Sequence, residues 1–253
     1  MVIADHTKQI EWYNEAARAA GRKTDVLVDL DVGDHRTGAG SEAQALEIAE
    51  AADRAPHLVL RGLQAYSGHG SHAGGLEDRR RVSSEALATA AEVRDAMAQK
   101  GLSTEILSGG STGTWEIDTA TAELTEMQVG SYVLMDIDYR RVGVDFAHAM
   151  TVLATVVSAN HDNFVTIDGG YKAFATDRGY GPEAVHFPGT KYRWGGDEFG
   201  YLDIEESNLH PKLGERIEFI APHCDPTANL YDRIHACRGE VVEDVWPLKR
   251  LAL

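Results

Sequence analysis

Between residues 10 and 135 the chain alternates short Val- and Leu-rich runs with amphipathic stretches, and the apolar runs open into polar, glycine-rich loops. This order constrains the fold more than any other feature. A strand, a helix and a second strand within ~30 residues pair the strands in parallel through a crossover. Residues 10–20 read as a helix ended by Gly21, and residues 25–32 as a strand apolar enough for burial. Ser41 caps a helix running to residue 52, with Gln44 at the capping-box position. Residues 57–66 read as a strand, 83–100 as a helix stopped by Gly101, 104–107 as a strand, 119–123 as a short helix or turn, and 127–135 as a last strand. A doubly wound sheet and a (β/α) barrel both satisfy this pattern. In either, the loops at 31–38, 66–75, 108–114 and 136–143 follow strand ends, where such folds keep their chemistry.

From about residue 145 the texture changes to short β-like runs, at 152–157, 163–167, 198–204, 216–220 and 240–246, separated by Gly, Pro, Asn and Asp. The expected organisation is an α/β unit over residues 1–144, either a doubly wound sheet or a partial (β/α)8 TIM-type barrel, followed by a β-domain over residues 145–253. Four βα-type strands make half of an eight-stranded barrel and leave two unpaired edges, so a segment upstream is expected.

The 40 Asp and Glu against 24 Lys and Arg give a formal charge of −16, which repels phosphate at long range. The densest cationic run, Arg79-Arg80-Arg81, follows Glu77-Asp78 and reads as a solvated helix start, so no nucleic acid partner is expected. No apolar run is long enough to span a bilayer, and Cys224 and Cys237 are too few for a disulfide framework. A cytoplasmic protein without a membrane partner is the expectation.

The segment Ala221-Pro-His-Cys-Asp-Pro-Thr227 carries the sharpest motif. Its two prolines favour an extended chain, in which His223 and Asp225 face one side and Cys224 the other. An imidazole beside a carboxylate is half a site for Zn²⁺, Mn²⁺ or a similar divalent ion; a polar turn between strands is the alternative. Ser108-Gly-Gly-Ser-Thr-Gly-Thr114 directly follows a strand and can aim backbone N–H groups and hydroxyls at a phosphate, or serve as a plain turn. It matches neither dinucleotide nor P-loop fingerprints. Gly130-Ser131-Tyr132 repeats that logic more weakly, and Arg36 sits just beyond a strand end, able to hold an anionic oxygen. Tyr66, His69 and His72 stand at another strand end, with hydrogen-bonding roles for the imidazoles.

In order along the chain, DVGDHRTG (31–38), LQAYSGH (63–69), SGGSTGT (108–114), VGSYVLMDIDY (129–139), IDGGYKAFATD (167–177), GGDEFG (195–200) and PHCDPTANLYD (222–232) resemble the D-threonine aldolase and D-serine dehydratase family. That family is a metal-assisted branch of the alanine-racemase-like, fold type III pyridoxal 5'-phosphate enzymes. The resemblance implies a (β/α)8 barrel followed by a β-domain, with the cofactor at the barrel mouth. It implies that Gly109, Gly110, Thr112, Gly130, Ser131 and Tyr132 surround the phosphate and that Arg36 and Tyr66 contact the ring region. His223 and Asp225 match the family's metal pair, and His-x-Asp looks more like the aldolases than the dehydratases. The implied substrate is a D-3-hydroxy amino acid, cleaved by retro-aldol reaction: D-threonine to glycine and acetaldehyde. Dehydration of D-serine or D-3-hydroxyaspartate, or a noncatalytic remnant, are the alternatives, and a homodimer is left open.

Two positions depart from the family. Glu198-Phe199-Gly200 replaces its Glu-His-Gly. The Schiff-base lysine is expected on a first barrel strand well before Asp31, and none of Lys8, Lys23, Lys100, Lys172, Lys191, Lys212 and Lys249 sits in that motif. At ~30 residues per βα unit the deficit is on the order of 120 residues, and the chain is expected to be an N-terminally truncated member.

Overall fold

The computed structural model describes residues 1–249. These fall into two compact units, residues 1–130 with 142–144 and residues 131–141 with 145 onward.

In the first unit five strands, β1 (Val2–Ala4), β2 (Thr24–Asp29), β3 (Leu58–Ala65), β4 (Ile106–Gly109) and β5 (Glu126–Met127), pair in parallel in chain order. Three helices cross between them: α1 (Thr7–Ala19) from β1 to β2, α2 (Glu42–Arg54) from β2 to β3, and α4 (Gly75–Gln99), preceded by the single turn α3 (Gly68–Ser71), from β3 to β4. A one-turn helix, α5 (Trp115–Asp118), leads to β5. Right-handed crossovers that always step in the same direction place their helices on one face, which is barrel-type winding; a doubly wound sheet would reverse direction. Val26, Val28, Leu60 and Leu63 pack with Ala45, Ile48 and Ala49 of α2 and Ala90, Val93 and Met97 of α4.

Several expectations need correction. The sheet has five strands rather than four, because β1 is only three residues long and below the length at which alternation reads. The helix expected from residue 83 starts at Gly75, so the arginine run lies inside α4. Arg80 and Arg81 are exposed and pair with Glu77 and Glu85, but Arg79 is buried, donating to the carbonyl of Val142. That bond ties residues 142–144 to the first unit. The strand expected over 127–135 ends at Met127, and a 3₁₀ turn occupies Ser131–Val133.

The second unit contains a six-stranded antiparallel sheet in the order β8-β11-β6-β7-β10-β9, built from β6 (Thr151–Ser158), β7 (Phe164–Ile167), β8 (Glu183–Ala184), β9 (Lys191–Trp194), β10 (Gly200–Asp203) and β11 (Arg216–Ile220). Burial alternates along β6 and β11, and the inward Ala154, Val156, Ile217 and Phe219 close a core with Val165, Ile167, Phe174 and Leu202. The hairpin of β12 (Arg233–Arg238) and β13 (Val241–Pro247) stands apart from this sheet, with β13 exposed along its length.

Residues 131–141, including α6 (Ile137–Arg141), group with the β-unit, while residues 142–144 group with the α/β-unit. The backbone explains this. The N–H groups of Ile137 and Asp138 bond to the carbonyls of Ala221 and Pro222 at 3.1 and 3.2 Å, and the Ala149 N–H bonds to the Leu134 carbonyl at 2.9 Å. Among the described residues no helix is long and apolar enough to cross a membrane.

Candidate active site

In the β-unit, residues 221–227 are not the extended turn expected from their prolines. His223 is extended (φ −142°, ψ 122°) and starts a short helix, α7 (Cys224–Ala228). Pro226 falls in its first turn, where a missing N–H costs nothing. The helix-end amide of Cys224, which has no acceptor within its own helix, is satisfied from 88 residues away: it donates to Asp136 Oδ2 at 2.7 Å, while Asp136 Oδ1 accepts from the Tyr139 N–H at 2.9 Å. Asp136 is fully buried, so α6 and α7 share one carboxylate as their anchor.

This helical geometry still brings His223 and Asp225 together, with Nε2 to Oδ2 at 3.6 Å. The other ring nitrogen, Nδ1, bonds to Asp177 Oδ2 at 2.7 Å, and Ser131 Oγ donates to Asp225 Oδ2 at 3.1 Å. Burial alone would lower the His223 pKa, but the carboxylates of Asp225 and Asp177 outweigh it and raise it above the ordinary value. Asp225 is lowered chiefly by His223, against the opposing effect of burial and with help from Ser131. Cys224 is buried with Met150 and Ala221, and burial followed by the charge of Asp136 pushes its thiol pKa up. Among the described residues no group of three or more His, Cys, Asp or Glu side chains gathers to hold a metal. The arrangement is therefore a two-donor N/O set with its imidazole braced from behind.

In the α/β-unit the loops sit at the strand ends. Arg36 lays its guanidinium over the Tyr66 ring, 5.0 Å from the centroid, and lies 3.5 Å from Asp34. His69 accompanies them, its backbone N–H donating to Asp34 Oδ1 at 3.0 Å. Asp31 Oδ1 accepts from the backbone N–H groups of Gly33 and His35, and its Oδ2 meets His35 Nδ1 at 2.7 Å. The glycine loop is braced by Asp118, which accepts from Thr114 Oγ1 at 2.5 Å and from Ser83, while Ser111 and Thr114 share a 2.8 Å bond. Gly109 and Gly113 pack against the protein itself: a Cβ on Gly113 would lie 2.0 Å from the Ser71 carbonyl oxygen. Gly110 adopts φ +68°, facing Asp118. Among the described residues the buried hydroxyls of Thr112 and Ser71 find no hydrogen-bond partner. Gly130 borders open space, and Tyr132 is exposed with its ring 5.6 Å from that of Phe146. Ser131, one of the residues expected around a phosphate, donates to Asp225 of the His223–Asp225 pair.

A row of side chains escaped the sequence reading. Asp29, Gln64, Ser108 and Glu126 are direct cross-strand neighbours on β2 to β5. Gln64 Nε2 donates to Asp29 Oδ1 at 2.9 Å, Ser108 Oγ donates to Glu126 Oε1 at 2.6 Å, and Gln128 Nε2 contacts both Gln64 and Ser108. The available signal was one polar residue near the C-terminal end of each apolar strand. Four lysines, Lys8, Lys100, Lys172 and Lys191, are paired with glutamates, and Lys8 lies in the first turn of α1 just after β1.

Comparison with known proteins places this geometry among relatives. The family model of the alanine racemase N-terminal domain matches residues 1–138, and that of a putative serine dehydratase domain matches residues 149–237. A D-threonine aldolase of Arthrobacter sp is 35% identical over 252 residues, covering 98% of this chain and 66% of the relative. A 3-hydroxy-D-aspartate aldolase of Paracoccus denitrificans is 32% identical, covering 98% of this chain and 65% of the relative. The crystal structure of D-threonine aldolase from Filomicrobium marinum superposes with a TM-score of 0.91 at 34% identity, covering 97% of this chain and 68% of that one. The chain thus spans about two thirds of the length of the curated relatives it matches.

Proposed function

Because this chain belongs to the D-threonine aldolase-like family with the alanine-racemase fold, we propose that it serves a metal-assisted, pyridoxal-phosphate-dependent lyase acting on D-3-hydroxy amino acids. The reaction is retro-aldol cleavage, with D-threonine giving glycine and acetaldehyde.

The carrying observation is the pair His223 Nε2 and Asp225 Oδ2, 3.6 Å apart. An imidazole nitrogen with one carboxylate oxygen suits Mn²⁺ or Zn²⁺, and two protein donors leave coordination positions open, as a catalytic site requires. His223 and Asp225 would hold the ion. The phosphate is assigned to the loop at 108–114 on the hydroxyl of Thr112, which is buried without a partner. Arg36, which stacks on Tyr66, would meet anionic oxygen in the ring region. When bound, the cofactor supplies an electron sink for breaking the Cα–Cβ bond, and the metal supplies a Lewis acid.

The chain's own residues have separable tasks. Asp177 accepts the Nδ1 proton of His223 and so presents Nε2 to the Asp225 side. Ser131 donates to Asp225 and fixes the carboxylate. Asp136 seats α7, which carries the pair. The third residue of the His-x-Asp set is the carboxylate Asp225, the pattern that looks more like the aldolases, and Cys224 between the two ligands is buried in an apolar cluster.

Protein in which this chain is joined to a lysine-bearing first barrel strand, given pyridoxal phosphate, Mn²⁺ and D-threonine, is expected to release glycine and acetaldehyde. His223→Ala is expected to abolish Mn²⁺ binding, read by electron paramagnetic resonance. Release of 2-oxobutanoate and ammonia selects the dehydratase reading, and a wild-type protein that leaves all Mn²⁺ free overturns the metal pair.

A further inference from the structure

We propose that Asp177 is a positioning residue, which sets the tautomer of His223 and thereby the metal affinity of the His223–Asp225 pair, and that Arg178 and Asp138 hold it in place. This rests on the reading that the pair binds a divalent metal. Nothing in the 167–177 motif marked Asp177 as functional: it is a loop residue 46 positions from the histidine.

The geometry carries the assignment. A carboxylate only accepts, so Asp177 Oδ2 at 2.7 Å from Nδ1 requires a proton on Nδ1. In the neutral ring Nε2 then holds a lone pair, pointed to the side where Asp225 Oδ2 lies 3.6 Å away, too long for a hydrogen bond and open to an intervening ion. Free imidazole side chains favour the opposite tautomer, which would put the proton where a metal must bind. Carboxylate bracing of the distal nitrogen fixes the ring and raises its basicity as a ligand.

Asp177 is itself held. Arg178 Nη2 meets Asp138 Oδ2 at 2.7 Å, while Nη1 lies 3.7 Å from Asp177 Oδ2. Tyr180 donates to Asp138 Oδ1 at 2.6 Å, and the Arg141 guanidinium stacks 3.7 Å from the Tyr180 ring centroid. The two carboxylates thus share one guanidinium, and Asp138 sits on α6, the helix that Asp136 anchors to α7. The second unit therefore fixes the imidazole from both its backbone and its ring side.

The test compares wild type, Asp177→Ala and Asp177→Asn, with His223→Ala as the reference for a lost ligand. Two readouts are taken: Mn²⁺ affinity by electron paramagnetic resonance, and the His223 tautomer in metal-free protein from imidazole ¹⁵N shifts, followed with rising pH until they stop changing. Wild type is expected to show the Nδ1–H form. D177A is expected to shift to Nε2–H and lose about 10- to 100-fold in Mn²⁺ affinity. D177N keeps an accepting oxygen, so it is expected to retain the tautomer and stay within about threefold of wild type. An unchanged tautomer in D177A, or unchanged affinity while H223A loses binding, overturns the positioning role and leaves the metal reading standing. Absence of Mn²⁺ binding in wild type overturns the metal reading and with it the affinity half of this proposal; the tautomer readout then decides the geometric half alone.

Discussion

Removing the Asp136 carboxylate is the perturbation whose cost the structure specifies best. Its two oxygens accept the Tyr139 N–H at 2.9 Å and the Cys224 N–H at 2.7 Å, and the side chain is fully buried. Each hydrogen bond to a charged acceptor contributes about 1.5–3 kcal/mol, so Asp136→Ala forfeits roughly 3–6 kcal/mol gross and strands two N–H groups. Part of that is offset because a buried carboxylate no longer has to be desolvated. The expected net loss is about 2–4 kcal/mol, located in the β-unit. Asp136→Asn retains one accepting oxygen but turns an NH₂ toward the second amide, so its loss falls between those of wild type and Ala. Urea denaturation followed by tryptophan fluorescence reads the change, with the m-value checking that the same surface is exposed. Because α7 carries His223 and Asp225, Mn²⁺ affinity should fall in parallel with the loss of the anchor. A loss below about 1 kcal/mol in Asp136→Ala would refute the claim that one carboxylate holds α6 and α7 together.

Three further outcomes follow from particular contacts. Gly113→Ala places a Cβ 2.0 Å from the Ser71 carbonyl oxygen and should cost about 3 kcal/mol, whereas Gly130→Ala, with nothing within 4 Å, should stay within about 0.5 kcal/mol by the same denaturation assay. Burial alone would raise the Asp31 pKa, but the backbone N–H of His35, its imidazole and the Gly33 N–H lower it to about 2. Its folded value lies below the unfolded one of about 3.9, so its contribution is present above about pH 4 and is lost as pH falls toward 2. The stability gap between wild type and Asp31→Asn should accordingly close over that window in acid titration. Ellman's reagent should find one fast thiol in native protein, exposed Cys237, and a second only after unfolding, because burial shields Cys224 and pushes its pKa up; two fast thiols would contradict the packing of α7.

The α/β reading of residues 10–135 came from period and punctuation. Gly21 and Gly101 stop α1 and α4, Ser41 caps α2 through a 3.3 Å bond to the Gln44 N–H, and the strands of the apolar runs pair as expected. Barrel-type winding was legible from the family resemblance and not from the alternation, because a doubly wound sheet uses the same local pattern and differs only in which neighbour each strand selects. The short β1 and β8 were invisible for the same reason: two or three residues carry no period.

The candidate site divides along that line. Which residue types can bind metal and phosphate was legible from His223, Asp225 and the loop at 108–114, since donor chemistry is a property of the side chain itself. The partners that give those groups direction were not. Asp136, Asp177 and Ser131 lie 88, 46 and 94 residues from the partners they contact, and the row from Asp29 to Glu126 depends on register across four strands. Local sequence sets propensity and chemistry within a few residues. Hydrogen-bond direction between distant residues depends on where packing brings their backbones, and only the tertiary structure decides that.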